Sequence, residues 1–195
     1  MAEFLKAYNA VIKGYEGKYA NNPNDRGKET YKGVSRRAHP HWRGWKNIDG
    51  LKGSIHFPAI LEDDADLQKM VLEFYEENYW NRINGNEIPL QDVAEEILDM
   101  AVHAGVEKAV EHLQRALNLL NRKEKYYKNL LVDGLLGTNT MQTLMRCIYS
   151  GQSRRLFNVL NLYQGKFYIE IMEHSEDQEE FIGWFERVKL KGVTA

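Results

Sequence analysis

Apolar side chains recur along this chain with the spacing of α-helices, and polar residues fill the positions between them. Phe4, Leu5, Tyr8, Val11, Ile12 and Tyr15 share one helical face, which predicts an amphipathic helix over residues 3 to about 16, ended by Gly17. Leu67, Met70, Val71, Phe74, Tyr75 and Trp80 mark a second helix, with Asp63 and Asp64 as candidate N-caps and an end near Asn84. Ile88-Pro89 breaks the pattern. From Leu90 to Asn121 it returns through Val93, Ile97, Met100, Ala104, Val110, Leu113 and Leu117, with Gly105 expected as a kink or a close helix contact. Asp133-Gly134 reads as a turn, and Thr138 as the cap of a helix carrying Met141, Leu144, Met145 and Ile148. Leu156, Leu160, Tyr163, Phe167 and Ile171 predict a further helix, and Phe181, Trp184, Phe185 and Val188 a last one. The fold is therefore expected to be mainly α, with any strands confined to the first half.

Residues 20 to 61 differ from the rest. Pro23, Gly27, Gly33, Pro40, Gly44 and Pro58 interrupt this stretch, and it shows no long helical pattern. An irregular segment of this length inside a small domain is usually functional. It also carries Tyr31, His39, His41, Trp42 and Trp45. Aromatic rings beside hydrogen-bond donors suit a sugar-binding cleft, because the apolar face of a pyranose stacks on a ring. The competing expectation is that Trp42 and Trp45 cap the core beneath the loop.

Composition narrows the class. The chain has 195 residues, 43% hydrophobic and 28% charged, which suits one compact domain or two small ones sharing a core. A single cysteine, Cys147, excludes an internal disulfide and is expected to be buried as a small apolar residue. No Cys/His ligand spacing suggests a zinc site, so no metal or cofactor is expected. The amino terminus lacks a secretory-signal pattern, and no apolar run approaches the ~18 residues of a spanning helix. Synthesis in the cytoplasm without a signal peptide, and no stable membrane insertion, are expected.

The net charge of −2 is unevenly spread. Lys32 to Lys46 holds five basic residues and no acidic one, whereas Glu62 to Asp99 holds twelve acidic residues. The basic stretch could serve nucleic acid or another anionic polymer, or form a solvated surface beside an acidic helix.

Candidate chemistry lies at the end of the first helix. Glu16 stands at the edge of the apolar stripe, where partial desolvation would raise its pKa and favour a proton-donating form. Asp25 follows nine residues on and Thr30 five further, in a turn-rich loop. Glycoside hydrolysis by inversion needs one protonated carboxyl at the leaving oxygen and a carboxylate that positions water on the opposite face. A helix end and a returning loop could hold such a pair, with Thr30 helping to orient the water. A surface glutamate, a turn aspartate and a loop threonine are the structural alternatives.

The stretch Glu16-Gly17-Lys18-Tyr19, then Asn21-Asn22-Pro23-Asn24-Asp25, then Gly27-x-Glu29-Thr30-x-x-Gly33-Val34-Ser35 resembles the glycoside hydrolase family 108 muramidases of phage-type endolysins and secretion activator proteins. The resemblance implies a lysozyme-like helical fold with an irregular active-site loop region. It also implies cleavage of the N-acetylmuramic acid to N-acetylglucosamine bond, with Glu16 as the acid. The Glu16, Asp25 and Thr30 spacing is also similar to the Glu/Asp/Thr triad of phage T4-type lysozymes, which has one more residue before the threonine. Lys18 and Lys28 replace glycines of the pattern, and Tyr31-Lys32 stand where Asn-Tyr is usual; both lysines are expected to face solvent. Further on, Asp99 to Gly105, Leu113 to Asn118 and Val132-Asp133-Gly134-x-x-Gly137-x-x-Thr140 look like the peptidoglycan-binding region that follows in this family, with His103 in place of Asn. The two resemblances are colinear over roughly residues 10 to 190.

These readings lead to a muramidase region over 1–95 and a helical peptidoglycan-binding region over 96–195. Glu16, Asp25 and Thr30 are the candidate catalytic residues, and Tyr19, Tyr31, Trp42 and Trp45 the candidate substrate contacts. Peptidoglycan glycan strands are the expected partner, a holin-like export pore the expected route to the wall, and nucleic acid is not expected. The rival reading is a non-catalytic wall-binding or secretion-accessory protein of the same fold.

Overall fold

The computed structural model describes residues 1–13, 17–21, 28–174 and 176–192. Helices dominate: α1 (Phe4–Val11), α2 (Gly44–Leu51), α3 (Ala65–Tyr75), α4 (Gln91–Ala104), α5 (Val106–Leu120), α6 (Thr138–Cys147) and α7 (Ser153–Glu173). Three short strands, β1 (Tyr19–Asn21), β2 (Glu29–Tyr31) and β3 (Val34–Ser35), form one antiparallel sheet in the order β1-β2-β3. The mainly α expectation holds, and the strands lie in the irregular first half. No helix among the described residues is long and apolar enough to cross a membrane.

The chain forms two compact units, Tyr8–Asn78 and Met1–Ala7 with Tyr79–Ala195. In the first, Tyr8, Ile12, Tyr31, Ile48, Val71 and Tyr75 are buried in the core, where the rings of Tyr8 and Tyr75 meet edge to face at 5.8 Å. Asp64 caps α3 by accepting from the Leu67 backbone N–H at 2.9 Å, as its sequence position predicts. Its other oxygen accepts from Asn47 on α2 at 3.1 Å, which ties the two helices together. Helix α2 departs from the sequence expectation for residues 20–61. Two glycines obscure its pattern, but Trp45 and Ile48 give it a buried face. The apolar stripe expected to run on to Asn84 is also subdivided: α3 stops at Tyr75, a π turn covers Glu76–Trp80 and a 3-10 turn covers Asn81–Ile83.

In the second unit, Ala2 N–H donates to the Ile88 carbonyl at 2.8 Å, and the Phe4 ring lies 5.9 Å from Trp80. Gly85 makes room for that tryptophan, since a Cβ there would lie 2.3 Å from the indole. Helices α4, α5 and α7 pack on one another through Val93, Ile97, Val110, Leu113, Leu117 and Leu160, all buried. Gly105, at φ +88°, separates α4 from α5, so the expected kink is a full break between two helices. Thr138 is the first residue of α6 and Gly137 its N-cap, which corrects the expected threonine cap. The apolar stripe read for α7 is also displaced. Its fully buried face combines Leu156, Leu160, Asn161, Gln164 and Tyr168, while Tyr163, Phe167 and Ile171 are only half-buried. The last segment, Glu176–Arg187, is 3-10 rather than α.

Polar groups take that buried face because α4 supplies partners for them. Asp99 is buried and accepts from Gln164 Nε2 at 2.6 Å and from Arg187 at 2.6 Å. His103 Nδ1 lies 2.8 Å from the Asp99 carbonyl. Glu96 sits one turn away, and burial together with the charge of Asp99 pushes its pKa up to about 8.

Candidate functional site

Glu16 and Asp25 lie outside the described residues, so the site is built from its frame. Lys32 at φ +44° and Gly33 at φ +77° make the two-residue turn joining β2 to β3, a connection whose twist matches the strands it links. Tyr75 anchors that turn by donating its hydroxyl to the Lys32 carbonyl at 2.7 Å. The register pairs Tyr19 with Tyr31, Ala20 with Thr30 and Thr30 with Ser35. Side chains alternate across a sheet, so Ala20, Thr30 and Ser35 share one face and Tyr19, Glu29 and Tyr31 the other. Burial agrees: Glu29 and Tyr31 are covered, and Thr30 between them is half-open. Thr30 therefore sits on a shelf of small residues, five positions after Asp25 in the sequence.

The opposite face holds a charge network. Tyr19 donates to Glu29 Oε1 at 2.9 Å, Lys52 reaches the same oxygen at 2.8 Å, and Arg36 reaches the other at 3.0 Å. Arg36 and Lys52 both also pair with Asp49, at 2.8 and 2.7 Å. Those two hydrogen bonds hold the Asp49 carboxyl below its ordinary pKa, while burial beside Glu29 raises the Tyr19 phenol. The network fixes Tyr19 at the start of β1, three residues after Glu16. Lys18 and Lys28 are exposed, as expected.

The aromatics divide into open and buried. Tyr31 is fully buried and donates its hydroxyl to the Leu61 carbonyl at 3.1 Å. Trp45 is buried too, with Nε1 donating to the His39 carbonyl at 2.8 Å and the Arg36 guanidinium 4.5 Å above its ring. Both rings support the surface from beneath. Trp42 is half-buried, 5.1 Å from Trp45 and 6.1 Å from Phe74, and helps line a cavity of about 340 Å³ with His41, Arg43, Met70 and Glu73. Gly44 permits this position, because a Cβ there would lie 2.3 Å from the Trp42 ring. Of the expected aromatic contacts, Tyr19 and Trp42 keep open surface. Among the described residues, no group of three or more His, Cys, Asp or Glu side chains is arranged to hold a metal ion.

The second unit carries a different constellation, built on an amide ladder. Gln114, Asn118 and Asn121 follow one face of α5 onto the residue that ends it. Buried Gln114 donates to Asp133 Oδ1 at 2.8 Å, the Leu135 carbonyl at 3.1 Å and Thr140 Oγ1 at 3.3 Å. It accepts from the Asp133 and Gly134 backbone at 3.0 and 3.1 Å. Asn118 clasps both backbone groups of Leu130, at 2.8 and 2.7 Å. Asn121 accepts from the N–H groups of Tyr126 and Tyr127, both at 3.1 Å. The expected turn at Asp133-Gly134, with Gly134 at φ +70°, is thus held from α5. Together with α6, this segment walls a cavity of about 680 Å³. Pattern reading missed the ladder because it scores amides as surface residues. Their helical spacing beside the Leu113/Leu117 stripe was the available signal.

Comparison with known proteins gives two consecutive matches, whose boundary lies at the break between α4 and α5, inside the second unit. The model of the family "Glycosyl hydrolase 108" matches residues 9–105, and that of "Predicted Peptidoglycan domain" matches residues 108–189. A search of the curated proteins finds no match. Among solved structures, one described as "Structure of Brucella abortus SagA" is similar with a TM-score of 0.59 and 24% identity, over 95% of this chain and 88% of that one, a likeness of fold. The two family matches, in this order and covering nearly all of the chain, make this a lysozyme-like protein that acts on peptidoglycan; it belongs to the glycosyl hydrolase 108 family and carries a predicted peptidoglycan domain after its hydrolase region.

Proposed function

We propose that the protein is an N-acetylmuramidase that hydrolyses the bond between N-acetylmuramic acid and N-acetylglucosamine. The observation that carries this reading is the hydrolase-family match across residues 9–105, which includes the whole Glu16 to Ser35 motif. Glu16 gives its proton to the glycosidic oxygen as the bond to the anomeric carbon breaks. Asp25 takes a proton from the water whose oxygen replaces it, on the opposite face of the sugar. Thr30, half-open on the small-residue face of β2, steadies that water. Tyr19 and Trp42 flank the sugar, and Tyr31 and Trp45 hold the wall behind them. Residues 1–95 carry the cleavage and residues 96–195 the affinity for the wall, which the chain reaches through a holin-like pore or on lysis.

The bond cleaved is the direct test. Purified peptidoglycan is digested with the full chain, new reducing ends are reduced with borohydride, and fragments are read by mass spectrometry. New ends on N-acetylmuramic acid are expected. Ends on N-acetylglucosamine, or free peptides with intact glycan, would contradict the reading.

A further inference from the structure

We propose that the groove between residues 127–135 and α6 binds the stem peptide of the wall polymer and not its sugar chain; this rests on the wall-acting reading above. Its volume, about 680 Å³, is that of a small-ligand site. An open aromatic face on which a pyranose can stack is a common feature of sugar sites. The one aromatic among the described lining residues, Tyr127, is buried, with its hydroxyl committed to the Leu117 carbonyl at 2.8 Å. No ring is offered to a pyranose.

The groove offers peptide-reading groups instead. Leu131 and Leu135 are 77% and 68% exposed, apolar surface suited to alanine methyls. Asn139, Gln142 and Arg146 are exposed and make no side-chain hydrogen bond or ion pair among the described residues. Asn and Gln amides each present a donor and an acceptor, the complement of an extended peptide backbone. The Arg146 guanidinium matches the free carboxylates of a stem peptide. Asp133 supplies the opposite charge. Its Oδ1 is occupied by Gln114 and by the Leu135 N–H at 2.9 Å, which keep its carboxyl below the ordinary range, and Oδ2 remains for the ammonium of a diamino acid. The amide ladder holds Asp133 and the backbone of Leu130, Gly134 and Leu135 in place before any ligand arrives, so less ordering opposes binding along that wall.

The test uses isotope-labelled full chain and three probes. These are a synthetic stem tetrapeptide (L-alanine, γ-linked D-glutamate, a diamino acid, D-alanine), glycan strands stripped of peptide by an amidase, and intact sacculi. The tetrapeptide is expected to shift amide resonances within residues 128–146. Arg146→Ala, a change at an exposed position, is expected to weaken its binding by about tenfold or more. Shifts there with stripped glycan but not with tetrapeptide overturn the assignment, as does unchanged tetrapeptide affinity in both Arg146→Ala and Asp133→Asn. Binding to sacculi with no tetrapeptide response overturns the groove assignment alone. Failure either to bind or to digest sacculi overturns the wall-acting reading and this one with it.

Discussion

The two units treat polar groups in opposite ways. In the 8–78 unit only Glu29 of the network beside the sheet is covered, and the groups around it stay near water: Asp49 is 47% exposed, and its partners Arg36 and Lys52 about a third exposed. In the unit built from α4, α5, α6 and α7, Asp99 and Arg187 face each other with side chains only 6% and 7% exposed, and Gln114 is buried among five hydrogen bonds. Water-screened pairs are worth little and can rearrange cheaply. Buried pairs are costly to break and fix one geometry. The contrast suits the proposal above, in which the cleavage site lies on the first unit and the second presents a rigid surface to an extended polymer.

The largest effect should come from breaking the buried pair. Arg187→Ala leaves the buried Asp99 carboxyl without its guanidinium partner and is expected to cost about 3–5 kcal/mol, read from urea unfolding of the full chain. A loss below about 1 kcal/mol would place that pair in the same class as the surface network and erase the contrast.

Glu96 sharpens the comparison through pH. Its folded pKa, about 8, lies above the unfolded value, so the folded state binds the extra proton. Stability from this group is complete below the unfolded pKa of about 4.5 and falls by up to ~1.4 kcal/mol per pH unit until about pH 8. His112, lowered by burial to about 4, works the other way and loses stability as pH falls below its unfolded value. The difference between wild type and Glu96→Gln isolates the glutamate: the variant should gain relative stability as pH rises from 5 to 8. A pH-independent difference would contradict the raised pKa. The smallest effect is expected at the surface, where Asp49→Asn should cost less than about 1 kcal/mol and less still in high salt.

Much of this fold was legible in the sequence, because helical periodicity reports burial of apolar side chains and nearly every helix here buries some. The Asp64 cap and the Asp133-Gly134 turn were legible for a different reason, since each depends on local backbone chemistry alone. What was not legible involves polar burial. The face of α7 was misplaced because Asn161 and Gln164 occupy core positions that hydropathy assigns to solvent. Helix α2 was hidden by glycines, one of which accommodates a tryptophan. Tyr31 and Trp45 read as candidate sugar contacts because their residue type is right, but only the sheet register and the Arg36 stack reveal that they face inward. Thr30 is a candidate by spacing alone, and the alternation along β2 accounts for its openness.

The central claim is that Glu16 is the acid of a wall-cleaving enzyme. It is tested most directly by measuring release of soluble fragments from purified sacculi by wild type and Glu16→Gln, with sacculus binding measured alongside. At least a hundredfold loss of turnover is expected in the variant, on the order of that for a missing general acid, with binding retained. Undiminished turnover by Glu16→Gln would contradict it.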